Sequence, residues 1–298
     1  MALGKVLVIG ASGLAGRALM RILGGAQIEA AGTYARSPAA GLEALDITDA
    51  ARVRACVERH RPAAIFLTAA LTHVDYCEAH PDEAFAINVE GPRAVAESAR
   101  ALGAQLVFYS TEYVFDGKAG PYDEEEPPSP LSVYGQSKLA AERAICDIVE
   151  NVLILRTTVL FGWDSNSSNF AMQVYRKVRS GERMTIPMDQ FGNPTLAEYL
   201  AQMSLTLAQR GARGVVNVVG EDLVARSDFA LALVNLFGGS PDLIVPVLTE
   251  SLKQKAPRPL RGGLKTAKLE RLLGGKAMAL NDALKRLELQ WKTGAANT

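Results

Sequence analysis

Short apolar runs alternate with longer segments of helical periodicity over the first half of the chain. The apolar runs predict strands at Lys5–Ile9, Ile28–Thr33, Ala63–Thr68, Gln105–Ser110 and Val152–Val159. The intervening segments predict helices at Gly13–Leu23, Asp49–Arg59, Asp82–Leu102 and Leu131–Glu150. Because strands that are apolar on both faces need helices on both sides, the pattern predicts an α/β fold with a doubly wound, Rossmann-type parallel sheet.

The pattern is looser after Phe161. One further strand and two helices are predicted there, at Gly214–Val219, Ser227–Phe237 and Leu280–Leu287, between polar or Pro/Gly-rich loops at Ser165–Asn169 and Ala256–Gly263. We therefore predict a dinucleotide-binding domain over residues 1–163, to which residues 187–222 return, and a smaller α/β substrate-binding lobe over most of residues 164–298.

Charge and composition exclude several function classes. Lys+Arg and Asp+Glu both number 32 in 298 residues, so the basic excess of a nucleic-acid partner is absent. The three cysteines and three histidines show no metal-ligand spacing, so no metal is predicted. The chain has neither a signal-peptide pattern nor the ~20-residue apolar run that spans a bilayer, which predicts a cytoplasmic protein without membrane contact.

A glycine-rich turn, Gly10-Ala-Ser-Gly13-Leu-Ala-Gly16, joins the first strand to the first helix. Glycine permits a sharp turn, lets a pyrophosphate approach the backbone and lets the helix pack closely on the sheet. The helix N-terminus then presents N–H groups to the anion. The predicted phosphate-binding residues are Gly10, Ser12, Gly13, Leu14 and Ala15.

The end of the second strand reads Gly32-Thr-Tyr-Ala-Arg36-Ser37 and contains no carboxylate. An acidic residue there would accept a hydrogen bond from the ribose 2′-hydroxyl of NAD. Arg36 and Ser37 can instead hold a 2′-phosphate. The sequence therefore predicts NADP as the cofactor, with NAD as the alternative.

Tyr134 and Lys138 form a YxxxK pair, and Ser110-Thr111 ends the strand one helix earlier. On a helix the two side chains lie one turn apart on the same face. We expect the lysine ammonium to lower the phenol pKa, so that the tyrosine gives its proton to a carbonyl oxygen as hydride reaches the carbon.

These motifs resemble a known enzyme family. The GxxGxxG spacing is similar to that of the extended short-chain dehydrogenases/reductases. Over nearly the whole chain, the sequence resembles the dTDP-4-dehydrorhamnose reductase family, in the segments Ser110–Gly117, Pro130–Lys138, Asp189–Thr195 and Arg258-Pro259. The resemblance implies NADPH-dependent reduction of the 4-keto group of a nucleotide-diphospho-6-deoxysugar.

The resemblance also implies residue roles. Thr111 would orient the substrate carbonyl, Tyr134 would be the general acid, and Lys138 would hold the nicotinamide ribose. The other implied cofactor contacts are Asp46, Ile47, Ala69, Ala70, Asn88 and Ser110. The implied substrate contacts are Thr72, Val74, Glu112 and Tyr113, with Asn169, Arg258 and Arg261 as candidates for the diphosphate or base.

The sequence departs from the family pattern at several positions. Relatives usually carry Asp where Glu112 stands, and rhamnose-pathway enzymes tend to have Trp where Val159 stands. Near the C-terminus, Arg261 and Lys265 replace an Asn and an Asp. These differences concern the identity of the sugar and the base, and they leave the reaction type as predicted.

Two alternatives remain open at this point. One is a non-catalytic, NADP-binding regulatory subunit like the methionine adenosyltransferase β subunit, which keeps much of the same motif set. The other is a related nucleotide-sugar epimerase or dehydratase, although a dehydratase normally needs an Asp-Glu pair and this segment offers only Glu112. A homodimer is a further expectation.

Overall fold

The computed structural model describes residues 3–165 and 167–295. The first two and last three residues of the predicted domains, and Asn166 of the predicted polar loop, lie outside the described residues. Among the described helices, none is long and apolar enough to cross a bilayer.

The described chain contains thirteen strands. They are β1 (Val6–Ile9), β2 (Ala30–Tyr34), β3 (Leu42–Ala44), β4 (Ala64–Leu67), β5 (Gln105–Thr111), β6 (Val152–Thr157), β7 (Leu160–Phe161), β8 (Met184–Pro187), β9 (Phe191–Gly192), β10 (Thr195–Leu196), β11 (Gly214–Asn217), β12 (Val224–Ala225) and β13 (Ile244–Val247).

Eleven α-helices are described. They are α1 (Leu14–Gly25), α2 (Ala50–His60), α3 (Val74–Ala79), α4 (Pro81–Phe85), α5 (Gly91–Leu102), α6 (Val133–Ile148), α7 (Phe170–Ser180), α8 (Ala197–Gln209), α9 (Arg226–Leu236), α10 (Ala267–Leu273) and α11 (Leu280–Ala295). Short 3-10 turns occupy Glu112–Val114, Pro241–Leu243 and Thr249–Leu252, and a π-helical turn occupies Ala86–Glu90.

Seven parallel strands form the main sheet in the order β3-β2-β1-β4-β5-β6-β11. The strand order reverses between β1 and β4, and ligands of such sheets bind in the crevice beyond the carboxyl ends of the strands at that point. The predicted doubly wound, Rossmann-type fold is confirmed, and the crevice lies where the predicted glycine turn follows β1.

Two hydrophobic cores cover the two faces of the sheet. Val6 and Val8 of β1 face a core with α1 and α8, while Leu7 and Ile9 face a core with α2, α5 and α6. The first core continues without a break into α7, α9 and α11 of the C-terminal half. Three two-stranded sheets, β7–β10, β9–β12 and β8–β13, complete that half of the molecule.

The predicted helix Asp82–Leu102 is interrupted in the structure. Helix α4 ends at Phe85, the π-helical turn follows, and α5 begins at Gly91. Apolar periodicity does not reveal such a turn, because one inserted residue barely changes the pattern. Helices α7 and α8 and strand β13 were not predicted, and α11 is longer than the predicted final helix.

Candidate active site

The turn after β1 is built for close backbone contacts. Gly10 has φ +94°, and a Cβ atom there would lie 2.6 Å from the Ala69 backbone nitrogen. At Gly16 a Cβ would lie 2.3 Å from the Gly10 oxygen, so α1 can pack this tightly only with glycine. Gly13 is exposed and no side chain caps α1. The open N-terminus of α1 therefore fits the predicted pyrophosphate site.

The residues predicted to select the cofactor lie at the outer end of β2. The Arg36 side chain is 72% exposed, and its Nη2 lies 3.1 Å from Oε1 of Glu83. Ser37 is exposed beside it. The Asp46 carboxylate accepts hydrogen bonds from the Thr48 backbone and hydroxyl, which lower the pKa of Asp46.

Asn88 lies in the π-helical turn and is completely buried, so it is not a helix-surface residue. Its Oδ1 accepts from the Leu71 backbone N–H at 2.8 Å, and its Nδ2 donates to the Leu71 carbonyl at 3.0 Å. Nδ2 also donates to the Ser137 hydroxyl on α6 at 3.1 Å. Asn88 thus joins the loop after Ala69 and Ala70 to the helix that carries the YxxxK pair.

The three predicted catalytic residues lie together. Thr111 ends β5, Tyr134 and Lys138 lie one turn apart on α6, and all three are buried. The Tyr134 and Thr111 side chains are hydrogen-bonded. Gly135 allows this helix to approach closely, because a Cβ there would lie 2.1 Å from the Tyr113 carbonyl oxygen.

The sequence led us to expect that Lys138 lowers the pKa of Tyr134, and this expectation is wrong for the protein without a bound cofactor. Burial raises the pKa of Tyr134, and the hydrogen bond to Thr111 only partly offsets this. Burial also lowers the pKa of Lys138 to about 7, and the Lys138 Nζ lies 4.0 Å from the centre of the Phe108 ring. Tyr134 is therefore protonated at neutral pH, the state required of a proton donor.

The sequence did not predict a buried ion pair that lies behind the catalytic helix. Arg156 and Glu142 form two hydrogen bonds, Nε to Oε1 at 3.0 Å and Nη2 to Oε2 at 2.7 Å. The Ser110 hydroxyl donates to the same carboxylate. This pair connects β5, β6 and α6, and its removal on one side would leave an uncompensated buried charge.

A cleft begins at Glu112 and Tyr113, the two residues that follow the predicted catalytic Thr111. Its wall includes Glu112, Tyr113, Val159, Phe191, Arg226 and Pro259. The Tyr113 ring meets the Tyr134 ring edge-on, with centroids 5.6 Å apart. Tyr113 therefore lines the cleft and also contacts the proposed proton donor.

The sequence predicted a substrate contact for Glu112, but in the structure its carboxyl group also binds other parts of the protein. One carboxylate oxygen accepts from the Thr158 hydroxyl, and the other accepts from the Gly263 backbone N–H. Burial raises the pKa of Glu112 to about 7, against the lowering effects of these bonds and of Arg226. Glu112 both lines the cleft and connects the 3-10 turn after β5 to the loop around Gly263.

Val159 has φ +41°, in the left-handed region. A β-branched residue adopts this conformation rarely, and such strain typically costs about 1–3 kcal/mol. It explains why the predicted strand Val152–Val159 ends at Thr157 in the structure. The strained residue lines the cleft, beside Gly192.

The predicted substrate cations do not form one cluster. The Arg258 side chain is 9% exposed and its Nη2 lies 3.1 Å from Oδ2 of Asp75 on α3. Lys265 pairs with Asp123 and Glu126, while Arg261 is exposed. Arg258 and Lys265 therefore have different carboxylate partners, and Arg261 is exposed.

The remaining predicted substrate residues differ in environment. Thr72 is exposed and Val74 begins α3, the helix that carries Asp75. Asn169 precedes α7, and its Nδ2 donates to the Gly162 carbonyl at 3.0 Å. The Asn169 Oδ1 is buried and has no hydrogen-bond partner among the described residues.

Arg226 was missed by the sequence reasoning and lines the cleft. It is the first residue of α9, and its guanidinium carbon lies 4.4 Å from the centre of the Phe170 ring. Burial lowers the pKa of Arg226. The preceding segment Asp222–Ala225 contains no motif, so only the fold brings this cation to the cleft.

One group of side chains has metal-ligand chemistry. Glu43, Cys56 and His60 bring one donor atom each within 4.8 Å of one another at the edge of the sheet. The Arg59 guanidinium binds Glu43, and burial raises the pKa of the Cys56 thiol to about 11. These groups oppose cation binding, because the carboxylate is already paired and the thiol is protonated.

The sheet order, the glycine turn and the YxxxK helix define an extended short-chain dehydrogenase/reductase. The family model described as RmlD substrate binding domain matches residues 4–291. The chain belongs to this family.

Two similar proteins and one solved structure support the assignment to this family. A dTDP-4-dehydrorhamnose reductase from Streptomyces griseus is 37% identical, over 85% of this chain and 83% of that protein. Methionine adenosyltransferase 2 subunit beta from Xenopus tropicalis is 29% identical, over 90% of this chain and 82% of that protein. The solved structure of the Bacillus anthracis dTDP-4-dehydrorhamnose reductase in complex with NADP has a TM-score of 0.89 and 29% identity, and covers 97% of this chain and 100% of that one.

Proposed function

We propose that the protein is an NADPH-dependent reductase of the 4-keto group of a nucleotide-diphospho-6-deoxysugar. The observation that carries the proposal is the buried Thr111–Tyr134 hydrogen bond beside the cleft. Burial keeps the Tyr134 phenol protonated, and Thr111 lies beside it where a substrate carbonyl could accept the proton. The reductase relative supports this reaction over a non-catalytic role, since its identity is 37% against 29% for the methionine adenosyltransferase subunit.

Each catalytic side chain has a defined task in this proposal. Thr111 orients the substrate oxygen, and Tyr134 donates its phenolic proton to that oxygen as the keto carbon becomes a hydroxyl-bearing carbon. Lys138 holds the ribose next to the nicotinamide. Burial of all three excludes water from the proton transfer.

The crevice fits the dinucleotide. Gly10 and Gly16 let the turn and α1 pack closely against the backbone of Ala69 and Ala11, and the first turn of α1 has no acidic residue to repel a pyrophosphate. Arg36 and Ser37 would bind the 2′-phosphate, and Asp46, Ile47, Ala69 and Ala70 would border the adenosine half. When bound, the nicotinamide supplies the hydride.

A substrate screen tests the proposal. Purified protein is mixed with NADPH and with 4-keto-6-deoxysugars linked to dTDP, UDP, GDP or CDP, and NADPH oxidation is followed by absorbance. We expect turnover with at least one sugar nucleotide and none with a simple ketone. Tight NADPH binding without turnover of any of them would instead support the non-catalytic, NADP-binding subunit.

The division into a dinucleotide-binding domain and a substrate lobe, the cytoplasmic location and a homodimer are parts of the same proposal. The parallel pairing of β11 with β6 supports the return of residues 187–222 to the first domain. Light scattering of the purified protein tests the homodimer, and fractionation of cells tests the location.

A further inference from the structure

The guanidinium of the half-buried Arg226 has an unusual environment for a cation that lines a cleft. Within residues 3–165 and 167–295 it forms no ion pair, and no side-chain nitrogen donates a hydrogen bond. Its backbone N–H donates to the Gln190 carbonyl at 2.9 Å, which fixes the start of α9 but leaves the side chain free.

Two other arginines near the site, which are more deeply buried, have carboxylate partners. Arg156 has a two-bond ion pair with Glu142, and Arg258 pairs with Asp75. Placing a cation out of water is costly unless hydrogen bonds compensate for the lost hydration. Arg226 is half-buried and has no such partner among the described residues, so water or a ligand in the cleft supplies the hydrogen bonds to its guanidinium.

The surroundings of Arg226 direct its donors into the cleft. The Phe170 ring supports the guanidinium at 4.4 Å, and such a contact holds the planar group in a fixed orientation. The cleft wall beside it includes Glu112, Tyr113 and Phe191. The two Glu112 oxygens accept from Thr158 and Gly263, and no hydrogen bond or ion pair joins this carboxyl group to Arg226.

We propose that Arg226 is a substrate-binding residue that grips a phosphate group of the nucleotide sugar from the far side of the cleft. A guanidinium presents parallel N–H donors that match two phosphate oxygens, and it stays charged when buried. This proposal rests on the proposed function, because that function supplies a substrate with a diphosphate. It assigns to an unpaired, half-buried cation a phosphate contact for which the sequence suggested Asn169, Arg258 and Arg261.

Direct binding tests the assignment separately from catalysis. The protein is first saturated with NADP⁺, so that the glycine turn cannot take the added anion. Inorganic pyrophosphate, and then a nucleoside diphosphate and its unphosphorylated nucleoside, are titrated by calorimetry. For Arg226→Met we expect at least about a tenfold loss of affinity for the two phosphate ligands and no change for the nucleoside.

Three comparisons distinguish a role of Arg226 in phosphate binding from a structural role. Arg226→Met keeps roughly the same apolar stem and removes a half-buried charge that has no ion-pair partner among the described residues, so its melting temperature without ligand should be equal to or above that of the wild type. Arg226→Lys should bind with intermediate affinity, because it keeps the charge without the fork. Arg93→Gln, on α5 in the opposite helical layer, removes an exposed arginine and should change neither quantity.

The outcomes are decisive for the assignment. Unchanged pyrophosphate affinity in Arg226→Met, or no pyrophosphate binding by the NADP⁺-saturated wild type, would overturn it even if the enzyme reduces a sugar nucleotide. If the substrate screen fails while Arg226→Met still loses phosphate binding, the reductase proposal falls and the anion site stands. If Arg226→Met does not fold, the Arg226→Lys titration decides in its place.

Discussion

The Arg36 Nη2 lies 3.1 Å from Oε1 of Glu83, and the Tyr76 hydroxyl donates to the other Glu83 oxygen at 2.7 Å. The cation predicted to recognise a 2′-phosphate is therefore already held at α4. The Arg36 side chain is 72% exposed, and exposed pairs of this kind contribute only about 0.2–1 kcal/mol. A phosphate can compete for the guanidinium under those conditions.

NADPH should bind more tightly than NADH, and Arg36→Ala should reduce the difference. A lost charge-assisted hydrogen bond costs roughly 1.5–3 kcal/mol, which is about ten- to a hundredfold in NADPH affinity. NADH affinity should be unchanged, because NADH lacks the phosphate. Fluorescence titration of both variants with both cofactors measures this.

Glu83→Gln is the matched variant for the same contact. It removes the competing charge and should strengthen NADPH binding by about two- to fivefold without affecting NADH. Equal affinities of the wild type for the two cofactors would contradict the role of Arg36, whatever the variants do.

Tyr134→Phe should nearly abolish turnover and leave cofactor affinity largely intact. The phenol is the proposed proton donor, and such groups contribute typically ~10²–10⁴-fold to the rate. Phe keeps the ring that packs against Tyr113. Steady-state kinetics and NADPH titration are the two measurements.

Tyr175→Phe controls for the loss of a phenol oxygen elsewhere, since Tyr175 lies in an aromatic cluster with Trp163, Phe237 and Trp291. Its kcat should match that of the wild type. Retention of more than about a tenth of wild-type kcat by Tyr134→Phe would show that another group donates the proton.

Local patterns were enough to predict the parts of the site that are contiguous in sequence. The glycine turn and the YxxxK helix each lie within a few residues, and their spacing sets their geometry directly. The main parallel strands followed from apolar runs for the same reason. The fold class and these two motifs therefore needed no tertiary information.

The ion pairs of the site join residues that are far apart in the sequence. Arg258 and Asp75, and likewise Arg36 and Glu83, are brought together only by the fold. The left-handed conformation of Val159 is also imposed by its surroundings, since its own propensity opposes it. Arg226 belongs to no motif at all, so its place in the cleft was unpredictable from the sequence.

Glu112 should make stability depend on pH. Burial raises its folded-state pKa from 4.5 to about 7, so the folded protein keeps a proton over a pH range in which the unfolded chain has lost it. The stability contribution is complete below about pH 4.5 and is lost as the pH rises through about 7, on the order of 2–3 kcal/mol. Urea unfolding from about pH 5 to about pH 8 should show this decline.

Glu112→Gln should flatten that part of the curve, because the amide can donate to Thr158 and accept from Gly263 without titrating. The exposed Glu97→Gln on α5 should leave the wild-type slope unchanged. An identical slope in wild type and Glu112→Gln would mean that Glu112 is ionised throughout the range.

Arg258→Ala should raise the KM for a nucleotide-sugar substrate much more than it lowers kcat. A phosphate contact away from the reacting carbon serves ground and transition states alike, so its loss appears in KM. The expected increase is about tenfold or more, as for other lost charge-assisted hydrogen bonds. Kinetics with the best substrate of the screen give both constants.

The ion pair between Arg258 and Asp75 allows a sharper comparison. Asp75 Oδ1 also accepts from the Ala256 backbone N–H at 3.0 Å, and an asparagine oxygen can keep that bond. Asp75→Asn therefore removes the competing charge while retaining the loop contact, and KM should stay the same or fall because Arg258 becomes freer to bind phosphate. If Asp75→Asn instead raises KM as much as Arg258→Ala does, Arg258 acts by holding the loop through the ion pair. The predicted direct contact between Arg258 and the substrate would then be wrong.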